Sequence, residues 1–113
     1  MNEKTINEQY AYIYSLLEDR RLKEALIQLE SLLWQCSDWD LRTRLEQLQT
    51  SYKYMLDYMR QGANDPERWN LYQKMLTDTW ALADQSRLLM LDNASSNYYH
   101  KVRRTPTSPD LAN

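Results

Sequence analysis

The sequence predicts an all-α protein, a four-helix up-down bundle made of two antiparallel helical hairpins. The 113 residues contain one glycine and three prolines, so little interrupts helix, and loop-rich or all-β folds are disfavoured. Apolar residues recur at intervals of three and four along most of the chain, which is the helical period. Gly62, Asp65 and Pro66 then supply a helix stop and a helix start near the middle of the chain.

Capping and periodicity place the first two helices. Thr5 and Glu8 have the spacing of a capping box, in which each side chain satisfies an unpaired backbone N–H, and a helix over about residues 6–19 follows. The most regular amphipathic pattern in the chain predicts a second helix over about residues 22–36. Cys36 lies on its apolar stripe, where a cysteine behaves as a small buried hydrophobe.

The second half of the chain predicts a longer hairpin. Ser37 and Asp38 offer an N-cap for a third helix over about residues 39–61. Its apolar residues alternate in steps of four and three: Leu41, Leu45, Leu48, Tyr52, Met55 and Met59. This seam is too short for an extended coiled coil, so it favours packing inside one bundle. A fourth helix is expected over about residues 66–92, because the polar run after Asp92 disfavours helix.

Length and composition predict a single helical domain over residues 1–104. A chain of 113 residues buries roughly two thirds of the surface that it exposes when unfolded, which is enough for one core. Residues 105–113 contain two prolines among small polar residues, so a disordered tail or the start of a linker is expected there.

Charge and apolar content limit the partners. A formal net charge of −2 provides no strong field to attract nucleic acid to the whole domain. The first residues lack the apolar core of a secretory signal, and the longest wholly apolar run is Leu88–Leu91, so no membrane association is expected. The single cysteine excludes an internal disulfide, and a cytoplasmic location is the expectation.

The chain is poor in residues for chemistry. His100 is the only histidine, so a two-histidine metal site is excluded. One glycine cannot build a phosphate-binding loop. Asp38 and Asp40 are interpreted as residues that complement the start of the third helix. The sequence therefore predicts no catalytic, cofactor-binding or metal-binding residue, and the protein is not expected to be an enzyme.

The first predicted hairpin resembles a repeat of the tetratricopeptide type over about residues 7–37. The residues that carry the resemblance are Tyr12, Ile13, Leu16, Leu22, Glu24, Ala25, Leu26, Leu29 and Leu32. Ile13 and Arg20 stand where that family usually has small residues or glycine, and Ser37 stands where it often has proline. A second copy is missing, because the residue 34 positions after Ala25 is Met59, inside a helix too long for the repeat.

The resemblance implies a helical pair whose first helix lines a groove that binds peptides or other proteins. The residues that this helix would present to a partner are Asn7, Tyr10, Tyr14, Leu17 and Glu18. Tyr10 and Tyr14 are the leading candidates, because the packing stripe is expected to run through Tyr12, Ile13 and Leu16. The resemblance also fits the N-terminal helical domain of a larger helical-repeat protein.

The predicted function is therefore a non-catalytic helical module for protein–protein interaction or scaffolding, which binds a protein partner or itself. Nine tyrosines and four tryptophans without phenylalanine suit interface positions, because both side chains join an apolar body to a polar tip. The alternative is nucleic-acid binding through an aromatic and basic cluster near the C-terminus. Its residues are Tyr98, Tyr99, His100, Lys101, Arg103 and Arg104. Nucleic acid is the less favoured partner, since a basic run more often complements a helix dipole.

Overall fold

Four α-helices make up the described part of the chain, as the sequence predicts. The computed structural model describes residues 2–60 and 66–103, with side chains described as far as Ala94. The helices are α1 Glu3–Glu18, α2 Leu22–Leu33, α3 Trp39–Arg60 and α4 Pro66–Arg103. Each helix packs on the next, and α4 also packs on α1, so the four helices close into a bundle. The all-α prediction is confirmed, and no strand occurs in the described ranges.

The first helix begins earlier than the predicted capping box. Asn2 is the N-cap, and its Oδ1 accepts a hydrogen bond from the backbone N–H of Thr5 at 2.8 Å. Thr5 therefore lies inside the first turn rather than at the cap. Asparagine is as good an N-cap as threonine, and the earlier start adds Glu3 near the positive end of the helix dipole.

A left-handed residue ends α1. The backbone N–H of Arg21 donates to the carbonyl of Leu16 at 2.8 Å, and that of Arg20 donates to Leu17 at 3.0 Å. These two bonds form a Schellman motif, whose penultimate residue adopts the left-handed conformation. Arg20 accordingly has a φ of 61°, although it carries a Cβ. Its guanidinium carbon lies 5.1 Å from the ring centroid of Trp69.

The left-handed conformation of Arg20 predicts an order of stability for two substitutions. The Arg20→Gly variant is expected to be about 1 kcal/mol more stable than the Arg20→Ala variant, because glycine pays no Cβ penalty at positive φ. Both variants lose the contact with Trp69, so that loss cancels in the comparison. Urea unfolding of the two variants measures the difference, and equal midpoints would contradict the expectation.

The second helix ends at Leu33 rather than near residue 36. Beyond it, the N–H of Gln35 donates to Leu32 and that of Cys36 to Leu33, both at 3.1 Å, so the last turn tightens to three-residue spacing. Asp38 caps α3 as predicted, since its Oδ1 accepts from the N–H of Leu41 at 2.9 Å. The chain thus reverses within a few residues, and α3 returns antiparallel to α2.

The fourth helix continues to Arg103, which corrects the predicted end near residue 92. Asparagine and serine each disfavour helix by less than about 1 kcal/mol, and no glycine or proline occurs between Pro66 and Pro106. Ala94 is partly buried against the core, so packing supports the continued helix. Gly62 and Asp65, the predicted stop and cap, lie outside the described residues, and α4 begins at Pro66.

The core is built from apolar stripes on all four helices. Fully buried members include Ile13 on α1, Leu29 on α2, Met55 on α3 and Leu82 on α4. Two polar residues of α4, Thr79 and Ser86, are also buried, and each hydroxyl donates to a carbonyl of its own helix. Among the helices in the described ranges, none is long and apolar enough to cross a membrane.

Candidate functional site

The side of α1 that carries Tyr10 and Tyr14 is covered by α4 of the same chain. Tyr10 is 0% exposed and Leu17 is 2% exposed. The Tyr10 hydroxyl donates to Ser86 Oγ at 2.7 Å and also lies 3.3 Å from Met90 Sδ. Both of these predicted contact residues are therefore buried in this packing, and the Tyr10 hydroxyl is bonded to α4.

Tyr14 belongs to the same internal interface. Its ring stacks on Trp80 with centroids 5.0 Å apart and an interplanar angle of 10°. Its hydroxyl donates to Asp84 Oδ1 at 2.5 Å and accepts from Arg87 Nε at 3.2 Å. Tyr14 is partly buried, and these contacts hold α1 against α4.

The other predicted contact residues remain candidates. Asn7 and Glu18 are exposed on α1, and a role for them in binding stays a prediction. The backbone of residues 98–103 is helical, but side chains are described only as far as Ala94, and Arg104 lies outside the described residues. The nucleic-acid alternative therefore also stays a prediction.

The protein has one buried thiol. Cys36 is free and 6% exposed, as its place on the apolar stripe of the second helix predicts. Within residues 2–60 and 66–103, no three His, Cys, Asp or Glu side chains come together in a group that could hold a metal ion.

Two tryptophans at the junction of α2 and α3 are highly exposed. Trp34 follows the last residue of α2 and is 68% exposed, and Trp39 opens α3 and is 77% exposed. Sequence reasoning did not select either as a contact residue. Large apolar side chains grouped on a surface mark interaction sites more often than scattered ones do.

A groove runs between α2 and α3 beside these tryptophans. One end is an open depression of about 380 Å³, lined mainly by Lys23, Leu26, Ile27, Tyr52, Lys53 and Leu56. The other end is an open depression of about 310 Å³, lined mainly by Leu33, Trp34, Trp39, Arg42, Leu45 and Glu46. Glu30 and Gln49 line both depressions, and Gln49 Nε2 donates to Glu30 Oε2 at 2.7 Å. We call the two depressions together the α2–α3 groove.

Two outer stripes of sequence produce this groove. Along α2 the stripe is Lys23, Ile27, Glu30 and Trp34. Along α3 it is Trp39, Arg42, Glu46, Gln49, Lys53 and Leu56. Both stripes step by three or four residues, so each lies on one side of its helix, next to the core stripe. Because each stripe mixes charged and apolar residues, neither stands out in the sequence beside the more regular pattern of core residues.

Arg42 fixes the tryptophan end of the groove. Its guanidinium carbon lies 4.9 Å from the ring centroid of Trp34. Its Nε donates to the carbonyl of Leu33 at 3.2 Å, and its Nη2 donates to the carbonyl of Trp34 at 3.0 Å. Arg42 therefore satisfies carbonyls at the end of α2 while it holds the indole of Trp34 against the surface.

Charge is distributed unequally along the groove. Lys23 and Lys53 lie on opposite rims at one end, both exposed. Glu46 and Asp40 are exposed on α3 toward the other end. Within the described side chains, none of these four residues forms an ion pair, since the pairs found join Arg21 to Glu24, Arg60 to Asp57 and Lys74 to Asp78. The groove thus offers the free ammonium groups of Lys23 and Lys53 at one end and the free carboxylate of Glu46, beside Arg42, at the other.

Comparison with known proteins adds no relative to this picture. No protein-family model matches the chain. Neither the curated proteins nor the solved structures give a significant match.

Proposed function

We propose that this chain is a non-catalytic protein–protein interaction or scaffold module whose contact surface is the α2–α3 groove. The observation that carries the proposal is the pair of exposed tryptophans, Trp34 and Trp39, at one end of a largely apolar groove. Tryptophan and arginine are enriched among the residues that dominate binding energy at protein interfaces. The stacked Arg42 supplies the second of these residue types in the same place.

Pre-organisation supports the proposal. An indole that is already held by Arg42 loses little conformational freedom when a partner covers it. The hydrogen bonds from Arg42 to the end of α2 also fix the angle between the two helices that form the groove. The surface therefore behaves as a preformed site rather than one assembled on binding.

The exposed area of the two tryptophans indicates how large the contact with a partner must be. Covering the exposed part of each tryptophan contributes about 3 kcal/mol at roughly 25 cal/mol per Å². Association itself costs roughly 4–15 kcal/mol in lost translational and rotational freedom. Two tryptophans alone therefore leave little net affinity, so the partner must also cover Ile27 and Leu56 in the adjoining depression.

Site-specific photocrosslinking tests the proposal. We expect the variants Trp34→p-benzoylphenylalanine and Trp39→p-benzoylphenylalanine to form covalent adducts with another polypeptide in the cells that make the protein. Tyr12→p-benzoylphenylalanine is the matched control, because Tyr12 is a 51% exposed aromatic residue on α1. The same replacement at Glu18 tests the α1 surface that the sequence predicts.

Adducts from the Trp34 and Trp39 variants but not from the Tyr12 variant would support the groove as the contact surface. Adducts from the Glu18 variant alone would move the surface to α1. Absence of adducts from all four variants would contradict the interaction function.

A further inference from the structure

We propose that the occupant of the α2–α3 groove is a second copy of this chain, in a dimer with two-fold symmetry. This inference rests on the proposed function, because it names the partner of the same surface. It is carried by two kinds of complementarity along the groove, one of shape and one of charge. In an isologous dimer, each copy presents the same surface, so each contact occurs twice.

The complementarity of shape lies between the exposed Trp34 and the depression that Ile27 lines. Trp34 follows Ile27 by seven residues, or about 10.5 Å along the helix axis, on the same side of α2. The hydrogen bond between Glu30 and Gln49 lies between the two depressions. Consider a two-fold axis that lies in the plane of the interface, passes over this hydrogen bond and runs perpendicular to the helices. It brings Trp34 of each copy over the depression that Ile27 lines in the other copy.

The charges along the groove favour this axis over the other possible two-fold axis, which runs parallel to the helices. A two-fold axis parallel to the helices would bring the Lys23 and Lys53 end of the groove against itself, and like charges would repel. The perpendicular axis brings α3 antiparallel to α3 of the second copy. Lys53 lies four residues beyond Gln49 and Glu46 three residues before it, about 6 Å and about 4.5 Å along the helix. Lys53 of each copy therefore faces Glu46 of the other.

The acidic side chain of Glu30 lies at the axis, because it forms the hydrogen bond with Gln49. Its carboxylate already accepts a hydrogen bond from the amide of Gln49 at 2.7 Å. That bond offsets part of the repulsion between the two copies of Glu30. The two Lys53–Glu46 pairs, one on each side of the axis, offset the rest of this repulsion.

The available area predicts a dimer that dissociates on dilution. α2 has 12 residues and is about 18 Å long, and two adjacent helices are about 20 Å wide. The face over α2 therefore offers about 360 Å² per copy, and the longer α3 extends it. The total stays near or below the roughly 1,200 Å² at the lower limit of stable interfaces.

Sedimentation of the purified full chain tests the dimer. We expect the unmodified chain to show a concentration-dependent equilibrium between monomer and dimer. Lys53→Glu and Glu46→Lys should each weaken the dimer about tenfold or more, because each homodimer then contains two like-charge contacts. An equimolar mixture of the two variants should regain the affinity of the unmodified chain, since both pairs are again opposite in charge.

Controls separate the possible failures. Lys53 and Glu46 are exposed, so both variants should keep the helix content of the unmodified chain. Lys4→Glu makes the same charge change at an exposed position on α1 and should leave the dimer unchanged. A chain that is monomeric at every concentration would overturn the dimer. A dimer that both variants leave unaffected, or that the mixture fails to restore, would overturn this two-fold arrangement.

The photocrosslinking experiment distinguishes failure of the dimer from failure of the proposed function. Adducts of Trp34 and Trp39 with a different protein, together with a monomeric purified chain, would overturn the dimer and leave the interaction function in place.

Discussion

Replacing Tyr10 with alanine is expected to lower the free energy of unfolding by about 3–5 kcal/mol. Tyr10 is 0% exposed and is the largest fully buried side chain among those described, so its removal opens a cavity between α1 and α4. The substitution also removes the hydroxyl that donates to Ser86. A domain of this size has a total stability of roughly 5–15 kcal/mol, so the variant is expected to be partly unfolded or close to it.

Tyr12→Ala is the matched control for this prediction. Tyr12 lies two residues further along the same helix and is 51% exposed, so its truncation should cost about 1 kcal/mol or less. Tyr10→Phe should cost about 1 kcal/mol, because it keeps the ring and removes one hydrogen bond. Urea unfolding followed by far-ultraviolet circular dichroism measures all three variants. Similar losses for Tyr10→Ala and Tyr12→Ala would contradict the packing described here.

Much of the fold is readable from the chain because its signals are local. The helical period, the Asp38 cap and the scarcity of glycine and proline act within a few residues, and they predict all four helices. The errors at the helix ends have local causes too. Asn2 competed with Thr5 as the first cap, and the polar residues after Asp92 were too weak as helix breakers to stop a helix that Ala94 packs against the core.

The role of Tyr10 could not be predicted in the same way. Tyrosine prefers the rim of a core unless its hydroxyl finds a partner inside. That partner is Ser86, which is 76 positions away in the sequence, so only the register of α1 against α4 brings the two together. Ile6, Tyr10, Ile13 and Leu17 do form a stripe with helical spacing, and the structure buries all four. Ile13 and Leu16 of the other stripe are buried as well, and only Tyr12 is exposed, so tertiary packing decided which tyrosine of α1 enters the core.

The candidate contact surface was likewise beyond local reasoning. Ile27 and Trp34 share one side of α2, and Leu56 lies on the outer stripe of α3, yet neither stripe is apolar enough to stand out alone. Their significance depends on the antiparallel pairing of α2 with α3, which brings the two stripes to the same groove. The exposure of Trp34 and Trp39 is also a tertiary property, because a tryptophan at a helix end fits a core equally well.

One buried and two partly buried tyrosines should make the stability of the bundle fall at alkaline pH. Burial is the main cause that raises the pKa of Tyr10 from 10.0 to about 12, and the hydrogen bond with Ser86 opposes it in part. Burial is also the main cause that raises the pKa of Tyr14 and of Tyr72, with the hydrogen bond to Asp84 adding to the rise at Tyr14. The folded state therefore favours the neutral form of all three side chains.

Comparison of the unmodified chain with Tyr10→Phe isolates the contribution of Tyr10. Folding raises the pKa of Tyr10, so the stability that its neutral side chain contributes is complete below the unfolded-state pKa of 10.0. This stability is lost as the pH rises toward the folded-state pKa of about 12. Below pH 10 the unmodified chain should be more stable than Tyr10→Phe by about 1 kcal/mol, because of the hydrogen bond to Ser86. Near pH 12 the unmodified chain should lose on the order of 2 kcal/mol of stability relative to Tyr10→Phe. The Tyr10→Phe variant should then be the more stable of the two proteins.

Urea unfolding of both proteins at a series of pH values between 10 and 12 measures this reversal. Contributions from lysines, arginines and the other tyrosines are common to both proteins and cancel in the difference. Tyr12→Phe makes the same chemical change at an exposed position of α1, so it should follow the unmodified chain throughout. A constant difference between the unmodified chain and Tyr10→Phe would mean that the Tyr10 hydroxyl reaches water. The α1–α4 interface would then be looser than the hydrogen bond to Ser86 indicates.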